Sequence, residues 1–308
     1  MTVPQTDSPT DAELARALDG DFSSNHAEVN GVRLHYVEGG TGEPLLLLGG
    51  WPQTWWQWHK VMPALARRYR VIAVDLRGMG GSTKPEAGYD KKTMAHDIHE
   101  LIKHLGLTTA TLAGHDIGAM VATAHAAIYP EATTKLVILD VPHPDETWAD
   151  MRLLPELDQE VDGTPTPGRY YLWWFAFNQV RGLPEQLLAG RSRILADWLF
   201  DRLAKDPASL DERSRQIYAH AYSTADAVRA GNSWYQAFPT DIVDEQSYPK
   251  LSLPILALGG AQANYPMLAA VMPSKGTDVR LVEIADCGHY LPDEQPEAVV
   301  DALTDFLG

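Results

Sequence analysis

The chain has 308 residues, 45% apolar and 21% charged, with 25 Lys and Arg against 41 Asp and Glu for a formal net charge of −16. This is the composition of a globular protein of one large domain, or one carrying an insertion, and the acidic balance disfavours nucleic acid and anionic lipid, which are bound through clustered Lys and Arg. The longest unbroken apolar run, Tyr170–Phe177, falls far below the roughly 20 residues that span a bilayer, and the single cysteine, Cys287, excludes an intrachain disulfide and fits the cytoplasm.

In chain order, Met1 to Gly20 has acidic residues but neither a basic start nor an apolar stretch, so it is not a secretory signal; residues 1–25 are expected to be a flexible tail. Strands are predicted at Val32–Val37, Leu45–Leu48, Tyr69–Val74, Ala110–Ala113 and Lys135–Leu139, with helices at Trp58–Arg68, Lys92–Leu105 and Ala119–Ile128. From 143 to 246 the strand signal disappears and the composition turns helical and aromatic, punctuated at Asp162–Gly168 and Asp206–Asp211. Strands return at Ile255–Leu258 and Val279–Ile284, and Pro296–Phe306 closes the chain as a helix. Continuous apolar strands between helices imply an α/β fold with a mostly parallel sheet covered on both faces. Its core is expected over 26–142 and 247–308, with 143–246 inserted as a helical cap over the carboxyl ends of the strands, where such sheets bind ligands.

Two short segments carry chemistry. Gly114-His115-Asp116-Ile117-Gly118 lies between a predicted strand and helix and has the G-x-(nucleophile)-x-G form of a sharp elbow, in which flanking glycines let the central side chain stand clear. The bland alternative is an Asp capping a helix after a strand. Asp286-Cys287-Gly288-His289-Tyr290-Leu291-Pro292 follows the last strand and puts His289 at the same sheet edge, where a general base belongs.

With these pieces the sequence resembles the α/β-hydrolase superfamily, and within it the aspartate-nucleophile branch of epoxide hydrolases and haloalkane dehalogenases, from about residue 27 to the end. Leu48-Gly49-Gly50-Trp51-Pro52 resembles that branch's H-G-x-P oxyanion loop, with Gly49 in place of the usual His. Asp75-Leu76-Arg77-Gly78-Met79-Gly80-Gly81-Ser82 resembles its structural D-x-x-G-x-G-x-S turn and lacks the pattern of a phosphate loop. The resemblance implies a triad of Asp116, His289 and an acid that holds the His ring. The loop Gly259–Asn264, where many relatives keep the acid, has no carboxylate, so the alternative site after the preceding strand assigns Asp140. Backbone N–H groups of Trp51 and Ile117 would form the oxyanion hole.

An Asp nucleophile narrows the reaction. Attack on an acyl carbon would give a mixed anhydride, whereas attack on an sp³ carbon with a good leaving group gives a stable alkyl ester. The expected substrate is therefore an epoxide or an alkyl halide, with His289 activating water to hydrolyse the ester. An opening epoxide needs an acidic O–H, and by resemblance Ser233-Trp234-Tyr235-Gln236 supplies Tyr235. The second family position falls in Tyr170-Tyr171-Leu172-Trp173-Trp174-Phe175, where Trp173 and Trp174 are candidate substrate-binding donors. A halide could be held by the same groups. Against that stand Ile117, where haloalkane dehalogenases usually place Trp, and the uncharged Ile117 and Met120, where haloacetate dehalogenases use arginines.

Nine tryptophans, all within Trp51–Trp58 or the cap, pack cap on core or line a flat apolar pocket suited to a bulky or aromatic epoxide. No metal or cofactor is expected. His96, His99, Glu100 and His104 share one helix but lack H-E-x-x-H spacing and read as a solvated face. Cys287 reads as a small buried residue, not a nucleophile. The expected partner is a small apolar molecule, with a homodimer as the base-rate assembly. A dehalogenase, a cyclase with drifted chemistry and a cap-pocket binding protein are the alternatives to an epoxide hydrolase.

Overall fold

The apolar runs assemble into one eight-stranded sheet in the computed structural model, which describes residues 8–151, 153 and 172–308. The first half runs α1 (Asp11–Arg16), β1 (Ser23–Val29), β2 (Val32–Gly39), β3 (Glu43–Leu48), α2 (Met62–Leu65), β4 (Tyr69–Asp75), α3 (Lys91–His104), β5 (Ala110–His115), α4 (Ile117–Ile128) and β6 (Thr133–Leu139). Among the described residues six α-helices follow before the next strand: α5 (Trp173–Gln179), α6 (Leu183–Leu188), α7 (Ser192–Leu203), α8 (Glu212–Ala221), α9 (Ala225–Gln236) and α10 (Phe238–Glu245). The chain closes with β7 (Leu251–Gly260), α11 (Tyr265–Lys275), β8 (Gly276–Ile284), α12 (Leu291–Glu294) and α13 (Pro296–Leu307). The expected breaker at Asp162–Gly168 and the pair Tyr170-Tyr171 lie outside the described residues.

The strand order is β1-β2-β4-β3-β5-β6-β7-β8, with β2 antiparallel to its neighbours and β3 to β8 parallel. Side chains alternate across each strand. Leu46, Leu48, Ile72, Val74, Leu112 and Ile138 therefore pack into one layer, while Leu45, Leu47, Val71, Ala73, Ala113 and Val137 pack into the other. Each Leu, Ile or Val among them contributes about 1.5–3 kcal/mol by leaving water. Leu48 pairs with Gly114, His115 with Leu139, and Leu139 with Leu258, so the loops after β3, β5, β6 and β7 emerge at one edge. Among the described residues no helix is long and apolar enough to cross a membrane.

Two expectations are corrected. Residues 11–16 of the expected flexible tail form a helix, because Thr10 and Glu13 close a capping box at its start and Leu14 and Ala15 are buried. Asp11 Oδ1 also accepts from the Trp55 indole N–H at 2.7 Å, and β1 begins at Ser23, inside the same segment. The helix expected over Trp58–Arg68 is a 3₁₀ turn at Trp55–Trp58 followed by the single turn of α2. Pro63 has no N–H and disfavours helical backbone before it, so it sits in the first turn of α2 instead of inside a longer helix.

Candidate active site

The β5–α4 elbow is built by close packing of backbone. A Cβ on Gly114 would run into the Gly118 carbonyl, and one on Gly118 into the carbonyl of Leu48 on the neighbouring strand. Only glycine fits either place. Between them Asp116 takes φ 52°, ψ −121°, a conformation that costs of order 1–3 kcal/mol for a residue with a side chain. Its carboxylate emerges beside the loop after β3, where the Trp51 N–H donates to Oδ1 at 2.9 Å and the nearby Ile117 N–H also favours the charged form.

That loop is shaped by Gln57, whose Oε1 accepts the Gly50 N–H at 2.9 Å, and by the Gln53 N–H, which donates to Gly50 O at 2.9 Å. The Trp51–Pro52 peptide is cis. Gly49 stands where the resembled family has His. A Cβ there would lie 3.2 Å from Gln57 Oε1, so the Gln57 side chain occupies the space next to it. The glycine-rich turn is structural in place: Asp75 accepts N–H groups from Trp55 at 2.8 Å and Gly81 at 2.9 Å, tying the loop after β3 to β4.

His289 reaches the same point from the loop after β8. Its Nδ1 is 2.7 Å from Asp140 Oδ2, and its Nε2 is 3.9 Å from Asp116 Oδ2. Burial pushes the imidazole toward its neutral form, but the Asp140 hydrogen bond and charge, with Asp116 behind it, outweigh this and raise its pKa above the ordinary value. Asp116 is also raised, by burial, against the pull of His289 and the two backbone N–H groups.

Three supporting groups surround these residues, and sequence reasoning missed the roles of Asn264 and Glu294. Asn264 donates to Asp140 through Nδ2 at 2.8 Å and through its backbone N–H at 3.3 Å, while the Gly260 N–H adds a bond at 3.1 Å. The loop Gly259–Asn264 thus holds the acid it does not contain. Glu294 accepts backbone N–H groups of Gly288 at 3.0 Å and Tyr290 at 2.9 Å, bracing both sides of His289. Asp293 Oδ2 accepts from Gln53 Nε2 at 2.8 Å, joining the His289 loop to the loop that carries Trp51. A carboxylate four or five residues after a loop His was the available signal for the last two.

Tyr235, on α9, is 3% exposed and close enough to Asp116 that the carboxylate's charge adds to burial in pushing its phenol well above the ordinary value. The Trp174 side chain lies beside the phenol and works against that rise. Of the two expected tryptophans it is Trp174 that meets Tyr235; Trp173 packs edge-on against Trp198 at 5.1 Å and Phe177 at 5.9 Å. Trp51, Phe175 and Phe238 surround the Tyr235 ring at centroid distances of 5.3, 5.2 and 5.1 Å. Tyr222, a further buried phenol, donates to Gln53 O at 2.9 Å.

Much of the tryptophan content serves packing. The indoles of Trp55, Trp56 and Trp234 donate to Asp11, Ser214 Oγ and Arg77 O, and Trp58 is fully buried. On α3, His96 Nδ1 meets the Tyr129 hydroxyl at 2.9 Å, His99 stacks on that ring at 3.9 Å, and Glu100 pairs with Lys103. Cys287 is buried and its thiol pKa is pushed up by that burial.

Residues 43–296 match the family described by the alpha/beta hydrolase fold. The chain is 33% identical over 297 residues to the soluble epoxide hydrolase of Corynebacterium sp. (strain C12), covering 93% of this chain and 98% of that one. It is 28% identical over 298 residues to the fluoroacetate dehalogenase of Burkholderia sp., covering 93% and 94%. Among solved structures, the epoxide hydrolase CorEH without ligand superposes with a TM-score of 0.81 at 31% identity, over 93% of this chain and 99% of that one. With the strand order, the glycine elbow and a match that spans most of its length, the chain belongs to the α/β-hydrolase family and is a hydrolase.

Proposed function

We propose that this hydrolase is an epoxide hydrolase working through a covalent ester on Asp116. The observation that carries the reading is the placement of Tyr235: a buried phenol beside Asp116, able to give its hydrogen to an opening ring oxygen. A halide leaves without a proton, whereas an alkoxide needs one.

Asp116 attacks a ring carbon through Oδ2, the C–O bond breaks, and Tyr235 protonates the alkoxide to leave a hydroxyalkyl ester. His289 Nε2, stranded 3.9 Å from Oδ2, has room for a water whose proton it takes as the oxygen attacks the ester carbonyl. The oxyanion forms on Oδ1, where the Trp51 N–H stands at 2.9 Å and the Ile117 N–H lies beside the same carboxylate. Collapse expels the diol alkoxide, which takes the proton from His289. The regenerated Asp116 carboxyl sheds the second proton of the water, which reaches the Tyr235 phenolate through solvent, and the sum is epoxide plus water to diol. Asp140 fixes the ring through Nδ1 and stabilises the imidazolium. The rings of Trp51, Phe175 and Phe238 around Tyr235 support a bulky or aromatic epoxide. The helices between β6 and β7 act as the cap, and the lone buried Cys287 supports a cytoplasmic location.

Intact-protein mass spectrometry of His289→Gln mixed with epoxides, polycyclic ones included, and with alkyl halides tests this reading. Water activation is blocked, so the ester accumulates. A gain of the full epoxide mass on the Asp116 peptide is expected. A gain of substrate minus hydrogen halide, without an epoxide adduct, would instead establish the dehalogenase that the Burkholderia relative's name suggests.

A further inference from the structure

His115, the last residue of β5, stands directly before Asp116, is fully buried and takes no part in the reaction proposed there. Its Nε2 lies 2.8 Å from the backbone carbonyl oxygen of His289, 174 residues away in the chain. A carbonyl only accepts, so Nε2 carries the hydrogen and donates. Burial first, and then the charge that His289 can carry, holds this imidazole well below its ordinary range. The ring is therefore neutral and its Nδ1 carries no hydrogen. Nδ1 is buried and, among the described residues, has no hydrogen-bond partner.

For packing alone this ring is a poor choice, because an orphaned Nδ1 is costly in the interior and an apolar side chain of similar size has no such atom. What the imidazole adds is the Nε2 hydrogen bond, which ties the backbone of His289 to the strand that ends at Asp116. On the other side, the His289 N–H donates to the Leu203 carbonyl at the end of α7, at 2.8 Å. His289 is thus gripped at its N–H by the inserted helices and at its C=O by the residue next to Asp116. Asp140 fixes Nδ1 of the His289 ring, so the 3.9 Å between Nε2 and Asp116 Oδ2 depends on where the His289 backbone sits. The two imidazoles lie 4.7 Å apart between centroids. A charged neighbour at that distance would oppose an imidazolium at His289, and a neutral one does not.

With Asp116 as nucleophile and His289 as base, the reading on which this rests, we propose that His115 is a positioning residue: by holding the His289 carbonyl it sets the distance from the base to the nucleophile. Ester formation needs Asp116 and Tyr235, whereas hydrolysis needs His289 to present a water to the ester. Loss of the donor therefore falls on the second step, where a misplacement of about 1 Å costs on the order of 100-fold.

His115→Leu removes the donor at similar volume, and His115→Gln keeps an amide N–H where Nε2 stands. The first readout needs no substrate: the His289 imidazole is titrated by NMR in the wild type and both variants with ¹⁵N-labelled histidine. Its pKa, held up against burial by Asp140 and Asp116, is expected to fall toward the ordinary value in His115→Leu, as the ring drifts from both carboxylates, and to stay in place in His115→Gln. The second readout is rapid-quench mass spectrometry with an epoxide. His115→Leu should form the Asp116 ester within about twofold of the wild-type rate and hydrolyse it about 20-fold more slowly, with His115→Gln within about threefold of wild type in both steps. Should His115→Leu fail to fold, His115→Asn, whose amide is too short to reach the carbonyl, takes its place. A His289 titration unchanged by loss of the donor, equal slowing of both steps, or a Gln variant no better than the donor-less one would overturn the proposal. An absence of epoxide adduct even in His289→Gln would instead sink the reading of the reaction, and the titration would then decide by itself whether His115 places the imidazole.

Discussion

At the scale of single residues, the proposed chemistry divides between groups that act on the substrate and groups that hold them. Tyr235 belongs to the first step only, so its loss has a signature. In Tyr235→Phe the ester on Asp116 should form about 100-fold more slowly, the low end of what a positioned general acid supplies, while an ester once formed should be hydrolysed at the wild-type rate. Rapid-quench mass spectrometry separates the steps; equal slowing of both, or no slowing of the first, would remove Tyr235 from that role. Trp174→Phe, which removes the indole dipole beside the phenol, should slow the same step by a smaller factor, about tenfold. Asp116, Asp140, His289 and Tyr235 could be picked from the sequence because each sits in a motif or at a strand end. Asn264 and Glu294 could not, since their work is done through backbone geometry: one reaches Asp140 across two loops, and the other gathers N–H groups from a turn. The choice between Trp173 and Trp174 was equally closed to sequence, because it depends on which way α5 is rotated.

Among the elements, those legible in advance were the ones whose burial is continuous. β3, β4, β6 and β7 read as runs of Leu, Ile and Val because both faces are covered. β1 did not, since Ser23-Ser24-Asn25-His26-Ala27-Glu28-Val29 is an edge strand of which only Ala27 and Val29 are buried. The signal for α1 was present in Thr10-Asp11-Ala12-Glu13, a capping-box sequence, but a six-residue helix shows too little periodicity to stand out. The contact between the Trp51 loop and α12 was invisible for another reason: Gln53 and Asp293 meet from 240 residues apart. Burial raises the Asp293 carboxyl from the ordinary 3.8 to about 7, so between those values the folded protein holds a proton that the unfolded chain has released. Stability should therefore fall as pH rises from about 4 to 7 and level off above, by roughly 4 kcal/mol at most. Asp293→Asn keeps an acceptor for Gln53 without the charge. Its advantage over wild type, measured by urea unfolding, is expected to widen by about 2–3 kcal/mol between pH 5 and pH 8; a gap independent of pH would show that Asp293 does not titrate in this window.

For the molecule as a whole, the question is what fastens the helices between β6 and β7 to the sheet and its flanking layers. One tie is ionic and wholly buried. Lys91, at the start of α3, extends Nζ to Asp241 on α10 at 2.7 Å and to the Trp234 carbonyl on α9 at 2.9 Å, with both charged side chains at 0% exposure. The Lys91 backbone N–H adds a bond to Asp241 Oδ1 at 2.7 Å, and the Trp234 indole donates to Arg77 O at 3.0 Å. A buried pair of this kind is worth little compared with a well-packed apolar pair, because both ions have lost their water, but removing one partner strands the other. Lys91→Met should therefore destabilise the protein by about 3–5 kcal/mol, partly relieved at low pH, where Asp241, already raised by burial, takes up a proton. Lys91→Met combined with Asp241→Leu should recover most of that loss in urea unfolding. If the double variant recovered stability but lost rate at Asp116, the pair would be holding the helix that carries Tyr235 in register with the elbow; if it kept both, the tie would serve folding alone. The first result is expected, because Lys91 reaches the α9 backbone one residue before Tyr235 and so fixes the phenol's distance from Asp116.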